Sequence, residues 1–166
     1  MKMRHLIKFP AVLLTMALCI SISAAQLSGP LNGLLETGIH EVVSDISVEI
    51  GDTLTIEPGT VLLFSGIYGF DIKGNLQALG TASDSILFLP NVGNAYWRGI
   101  TFHSSSDSNS VMSYSLISGG AAFGSFPYNC GGGVACYGAN PTISNSTITD
   151  NYTEGHGGGI ACIAGA

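Results

Sequence analysis

Charge is scarce in this 166-residue sequence: only 10% of its residues are Asp, Glu, Lys or Arg. Lys and Arg number five, and three of them, Lys2, Arg4 and Lys8, fall within the first eight positions. Long apolar runs are scarcer still. One stretch, Phe9 to Ile22, is apolar over about 14 residues, short of the roughly 20 that a bilayer span requires. It follows the three cations and ends in the small residues Ser21-Ile22-Ser23-Ala24-Ala25. That pattern predicts an export signal over residues 1–25, cleaved after Ala25, and hence a secreted or cell-surface protein. Leu18 before Cys19 stands where a lipoprotein signal would need a small residue, so no lipid anchor is expected.

Removal of the signal leaves Lys73 and Arg98 against eleven carboxylates, a net formal charge of −9 with His neutral. Two dispersed cations cannot neutralise a run of phosphates, which excludes nucleic acid and anionic membrane surfaces as partners. The same shortage counts against a site for anionic sugars, which calls for clustered Arg or Lys. An acidic surface otherwise serves solubility.

Helical periodicity is missing outside the signal. What remains is apolar and β-forming, with 46% hydrophobic residues, too many for a disordered chain. From Asp45 onward, Ile46, Val48 and Ile50 alternate with Ser47 and Glu49. Gly51-Asp52 makes a turn, Leu54 and Ile56 alternate with Thr53, Thr55 and Glu57, and Pro58-Gly59 turns again. Val61–Phe64, Phe70–Lys73, Leu76–Leu79, Ile86–Leu89 and Gly99–Phe102 continue the series. Short strands between Gly, Pro, Asn and Asp turns predict an all-β protein.

Internal repeats narrow the architecture. Gly131-Gly132-Gly133-Val134-Ala135-Cys136 recurs 26 residues later as Gly157-Gly158-Gly159-Ile160-Ala161-Cys162. Asn109 to Ser118 aligns with Asn140 to Thr149 at an offset of 31, placing Met112 on Ile143 and Ile117 on Ile148. Repeats of this length predict stacked coils about 4.8 Å apart, with alternate side chains inward. At roughly 25 residues per coil, residues 26–166 make five or six coils, with an N-terminal cap over about 26–44. Asn145 and Asn151 suit coil corners. The sequence stops just after repeating a coil-opening motif, which predicts a truncated C-terminal end prone to end-to-end self-association.

Gly51-Asp52-Thr53-Leu54-Thr55-Ile56-Glu57-Pro58-Gly59-Thr60 resembles the opening of bacterial right-handed parallel β-helix proteins of the pectate-lyase-like superfamily. Ile72 to Thr81 and Trp97 to Phe102 share that resemblance, and the later Gly-Gly-Gly and Asn-Pro-Thr runs are similar to repeats of polymorphic outer-membrane and adhesin-like surface β-helices. It covers about residues 40–166 and implies a single-stranded right-handed solenoid. The superfamily holds lyases, hydrolases and adhesins, so fold alone does not fix activity.

A lyase would show clustered carboxylates for Ca²⁺ and a base to take a proton. Here the acids are spread singly along the chain, and no catalytic, cofactor-binding or metal-binding residues are expected. The best local grouping is Asp150, Glu154 and His156, and a corner loop explains it more simply. Trp97 beside Arg98 reads as a packing residue at a strand start, with sugar stacking as the alternative. Cys136 and Cys162 hold equivalent repeat positions, fitting a buried ladder of small side chains or a disulfide, while Cys130 is left over. Three Cys without His at ligand spacing make no zinc site. The expected function is an adhesin-like binding module without catalysis or cofactor, its partner a carbohydrate or another surface protein. The alternative is the N-terminal part of a polysaccharide lyase or glycoside hydrolase with catalytic coils beyond residue 166.

Overall fold

The computed structural model describes residues 24–163. The expected export signal lies outside them except for Ala24 and Ala25. The described residues form seventeen strands and no helix, and every strand pairing is parallel.

A long strand β3 (Ile39–Val48) organises the molecule. β1 (Ala25–Pro30) pairs with it on one side. Its first half pairs with β5 (Val61–Phe64), which continues into β8 (Ile86–Pro90), β11 (Ser115–Ser118) and β15 (Thr147–Thr149). Its second half pairs with β6 (Phe70–Ile72), followed by β9 (Ile100–Phe102), β13 (Val134–Tyr137) and β17 (Ile160–Ile163). A separate sheet stacks β2 (Gly33–Leu35), β4 (Thr53–Ile56), β7 (Asn75–Leu79), β10 (Val111–Ser113) and β14 (Thr142–Ser144). Short β12 (Ala121–Ala122) pairs with β16 (Tyr152–Thr153). The result is a large parallel sheet curling nearly closed, compatible with a parallel β-helix.

Strand alternation builds the core. Ile46, Phe70, Ile100 and Val134 pair in register and are fully buried. Leu62, Phe88 and Ile117 form another buried row, and Ile56, Ala78 and Met112 a third. Each large side chain withdrawn from water in this way contributes about 1.5–3 kcal/mol. The few buried hydroxyls are satisfied: Thr60 donates to the Glu57 carbonyl at 2.7 Å, and Ser110 Oγ accepts the Leu76 N–H at 3.1 Å.

Both repeat alignments match the pairing register. Met112 lies beside Ile143, Ile117 beside Ile148 and Cys136 beside Cys162. Cys136 is buried but Cys162 is exposed, because β17 has a neighbour, β13, on one side alone within the described residues. Two local expectations need correction. Ile50 is 72% exposed, since the chain leaves the strand after Val48 and turns through Gly51. Asn145 takes the left-handed corner conformation at φ 49°, but at the next corner Asp150 does so instead of Asn151. Asn151 is a stitch between circuits: its Oδ1 accepts the Gly120 N–H at 2.8 Å and its Nδ2 donates to the Ile117 carbonyl at 3.0 Å.

Candidate functional site: a charged groove flanked by aromatic rings

The outward positions of β3, β6, β9 and β13 share one surface. Ser47, Asp71, Thr101 and Ala135 are paired in register there, between inward-facing neighbours. Lys73 and His103 extend the ladder by one step, their N–H groups donating to Val48 and Ile72 at 2.9 Å. Tyr137 closes β13 beside them. Arg98 enters just before β9, its backbone N–H held by the Tyr68 carbonyl at 2.8 Å. Its guanidinium lies over Gly69, where a Cβ would stand 2.7 Å from Nη2. A side chain at position 69 would push this guanidinium aside, so glycine there lets it lie close to the backbone.

Asp71 is the hub of this surface. Its Oδ1 lies 2.9 Å from His103 Nε2, and its Oδ2 lies 3.7 Å from Arg98 Nη2. An ionised carboxylate only accepts, so Nε2 of His103 carries the shared proton. Arg98 Nη2 also meets Asp45 Oδ1 at 3.2 Å, and that oxygen accepts the Gly69 N–H at 2.9 Å. Lys73 Nζ contacts both oxygens of Glu49 at 3.1 and 3.2 Å, and Ser47 donates to Glu49 at 2.7 Å. The hydrogen bond from His103 holds the Asp71 carboxyl below its ordinary range, against partial burial and with help from the charges of His103, Arg98 and Lys73. Glu49 is lowered by Ser47 and then by Lys73.

A groove of about 480 Å³ opens over this surface. Asp71, Thr101, His103 and Tyr137 line it together with Arg98, Phe123 and Tyr128. The Tyr137 hydroxyl donates to the Pro127 carbonyl at 3.0 Å, tying the loop that carries Tyr128 to β13. Desolvation raises the Tyr137 phenol above its usual range, reinforced by Cys130, Tyr128 and Asp71. Phe123 and Tyr128 remain exposed. Phe123 also joins an outer ridge of rings, 5.9 Å from Tyr96 and 5.8 Å from Tyr152 between centroids. The groove thus offers acceptors, donors and apolar ring faces within one ligand's reach.

A pH experiment tests the hub. Because the Asp71 pKa is lowered on folding, its contribution to stability is complete above the ordinary carboxyl value of 3.8 and is lost as pH falls through the lowered value. Urea midpoints should show Asp71→Asn less stable than the parent at neutral pH, the gap closing below about pH 4. A gap independent of pH would mean that the Asp71 charge is not held by these partners.

The residues singled out in the sequence have other places. Trp97 is completely buried, stacked on Phe64 at 4.0 Å between centroids, and cannot stack on a ligand. Asp150, Glu154 and His156 take separate surroundings: Asp150 accepts from Thr149, Glu154 from the Gly124 N–H, and His156 lines a different hollow with Cys130 and Cys162. No group of three or more His, Cys, Asp or Glu among the described residues is arranged to hold a metal ion. Burial pushes the Cys136 thiol up to about 12, with Cys162 adding to the shift, so it is a poor nucleophile. Arg98 alone among the singled-out residues reaches the groove. The acids that are single along the chain converge here as Asp45, Asp71 and Glu49. Asp71, His103 and Tyr137 carried no sequence signal other than register, and Phe123 and Tyr128, outside the strands, carried none.

Comparisons with known proteins yield little. No protein-family model matches the chain, and no solved structure matches it. A stretch of 55 residues is 36% identical to Protein bark beetle of Drosophila melanogaster. The match covers 33% of this chain and 2% of that much longer protein. It is a local likeness, and the chain spans a small fraction of the relative's length.

Proposed function

We propose that this chain is an exported right-handed parallel β-helix serving as an adhesin-like recognition module, and that the groove is its contact with a glycan. The order of strands supports a helix over a closed barrel. Each circuit contributes one strand to the five-stranded sheet and one to each arm of the larger sheet, and pairs with the circuits before and after it. Parallel crossovers within one sheet are right-handed in nearly all proteins. The signal-like pattern of residues 1–25 supports export.

The observation that carries the glycan reading is the Asp71–Arg98–His103 cluster beside exposed Phe123 and Tyr128. Sugars present hydroxyls at their edges and C–H groups on their faces, and such a site meets both. The same convergence of acid and base on successive strands favours the rival reading, part of a polysaccharide lyase or hydrolase. One experiment separates them. The secreted chain should be retained on an immobilised panel of plant and microbial polysaccharides, without releasing unsaturated or reducing ends. Phe123→Ala with Tyr128→Ala should abolish retention while leaving the fold's melting temperature within a few degrees. Turnover lost in Asp71→Asn would establish the enzyme instead.

A further inference from the structure

We infer that the groove takes an uncharged, hydroxyl-rich glycan and rejects polyuronates and other anionic polymers. The inference rests on the glycan reading above and names its ligand class. Lys73 and Arg98 are the only Lys or Arg among the described residues, and each already faces carboxylates of its own. Arg98 is shared between Asp45 and Asp71, and Lys73 is gripped by both oxygens of Glu49. A ligand carboxylate arriving at Arg98 must either displace one of those acids or take the remaining N–H groups beside them, crowding like charges around one guanidinium. Asp71 is the harder to displace, since His103 holds its other oxygen.

The surplus of acids points the same way. Asp45, Asp71 and Glu49 stand against two cations, so the local field repels anions before contact, as does the chain's overall negative charge. A carboxylate has about four lone-pair sites, and His103 occupies one of those on Asp71, while Arg98 at 3.7 Å pairs with it by charge alone. The sites left open suit the donating O–H groups of a vicinal diol. Arg98 has five N–H donors and engages its acids through Nη2, so its other nitrogens can donate to hydroxyl oxygens without breaking the ion pairs. Phe123 and Tyr128, exposed at the groove, are placed to cover the sugar's apolar face. A neutral ligand thus finds acceptors on Asp71, donors on Arg98 and ring faces on Phe123 and Tyr128 without breaking an ion pair.

Affinity electrophoresis of the secreted chain tests this. Gels would contain galactomannan, xyloglucan or mixed-linkage β-glucan in one set, and polygalacturonate or alginate in the other. Retardation is expected in at least one neutral gel and in neither polyuronate gel, and it should not change between low salt and 0.5 M NaCl, since no ligand charge is screened. Phe123→Ala and Asp71→Asn should each weaken the apparent affinity tenfold or more. Retardation by polyuronates that fades with salt and falls in Arg98→Gln would overturn the inference while leaving the groove as a glycan site. Absence of retardation in every gel, or retardation unchanged in Phe123→Ala, would remove the glycan reading and this inference with it.

Discussion

Trp97→Ala should cost the fold about 3–5 kcal/mol, the range seen when a large aromatic is cut from a core. The indole is fully buried, and its ring stacks on Phe64 at 4.0 Å with planes 19° apart. Its Nε1–H donates to the Ser118 carbonyl at 2.8 Å, joining two successive circuits through one side chain. The backbone is engaged as well: Trp97 N–H donates to Gly119 and its carbonyl accepts from Ala121. Truncation therefore leaves a cavity and an unpaired carbonyl together. At about 4 °C per kcal/mol for a domain of this size, the melting temperature should fall by more than 10 °C. Trp97→Phe keeps most of the packing and should lose only about 1–2 kcal/mol for the missing hydrogen bond. Equal losses in the two variants would mean that the hydrogen bond, not the packing, dominates.

The role of Trp97 was legible as packing at a strand start, and so was much of the framework around it. Leu54 with Ile56, Leu62 with Phe64, and Phe70 with Ile72 are buried pairs at alternate positions, as a half-buried strand requires. The register at Met112–Ile143 and Cys136–Cys162 was legible because the motifs around those residues recur, at offsets of 31 and 26. Ile50 failed because alternation carries no mark of where a strand ends. Its turn, Gly51-Asp52, began one residue earlier than the glycine implied.

The groove was not legible, for a reason that lies in circuit length. Leu54 pairs with Leu76, but Ala78 pairs with the much more distant Met112. Without a constant period, no count along the chain places His103 beside Asp71 or Arg98 beside Asp45. The carboxylates then look single. Once Ile72 is known to pair with Phe102, the next step sets Lys73 beside His103, and the cluster follows from register alone. Phe123 and Tyr128 sit in an irregular segment between β12 and β13, where neither alternation nor repetition applies.

Gly132→Ala should be among the most damaging single-methyl changes available in this chain, and Gly159→Ala, in the matching repeat, should be harmless. The two glycines belong to the Gly-Gly-Gly runs that opened the repeat argument, yet their surroundings differ. A Cβ on Gly132 would be driven into the carbonyl oxygen of Tyr152 and would stand 2.7 Å from that of Gly158. Both obstacles are backbone atoms of the following circuit, so no rotamer change relieves them and the circuits must separate. Gly133 is similarly confined, 2.7 Å from the Gly159 carbonyl. Forcing such an overlap should cost about 3 kcal/mol, the upper part of the range for overpacking. On Gly159 the nearest atom to a Cβ is Ile148 Cγ2 at 3.5 Å, an ordinary contact, and its φ is not in the left-handed region. Alanine there restricts the unfolded chain without straining the folded one, which should stabilise by about 0.4–1 kcal/mol. Urea unfolding of both variants gives the comparison directly. A Gly132→Ala protein as stable as the parent would show that successive circuits do not approach as closely as their carbonyls require, and the stacking of β12 on β16 would have to be redrawn.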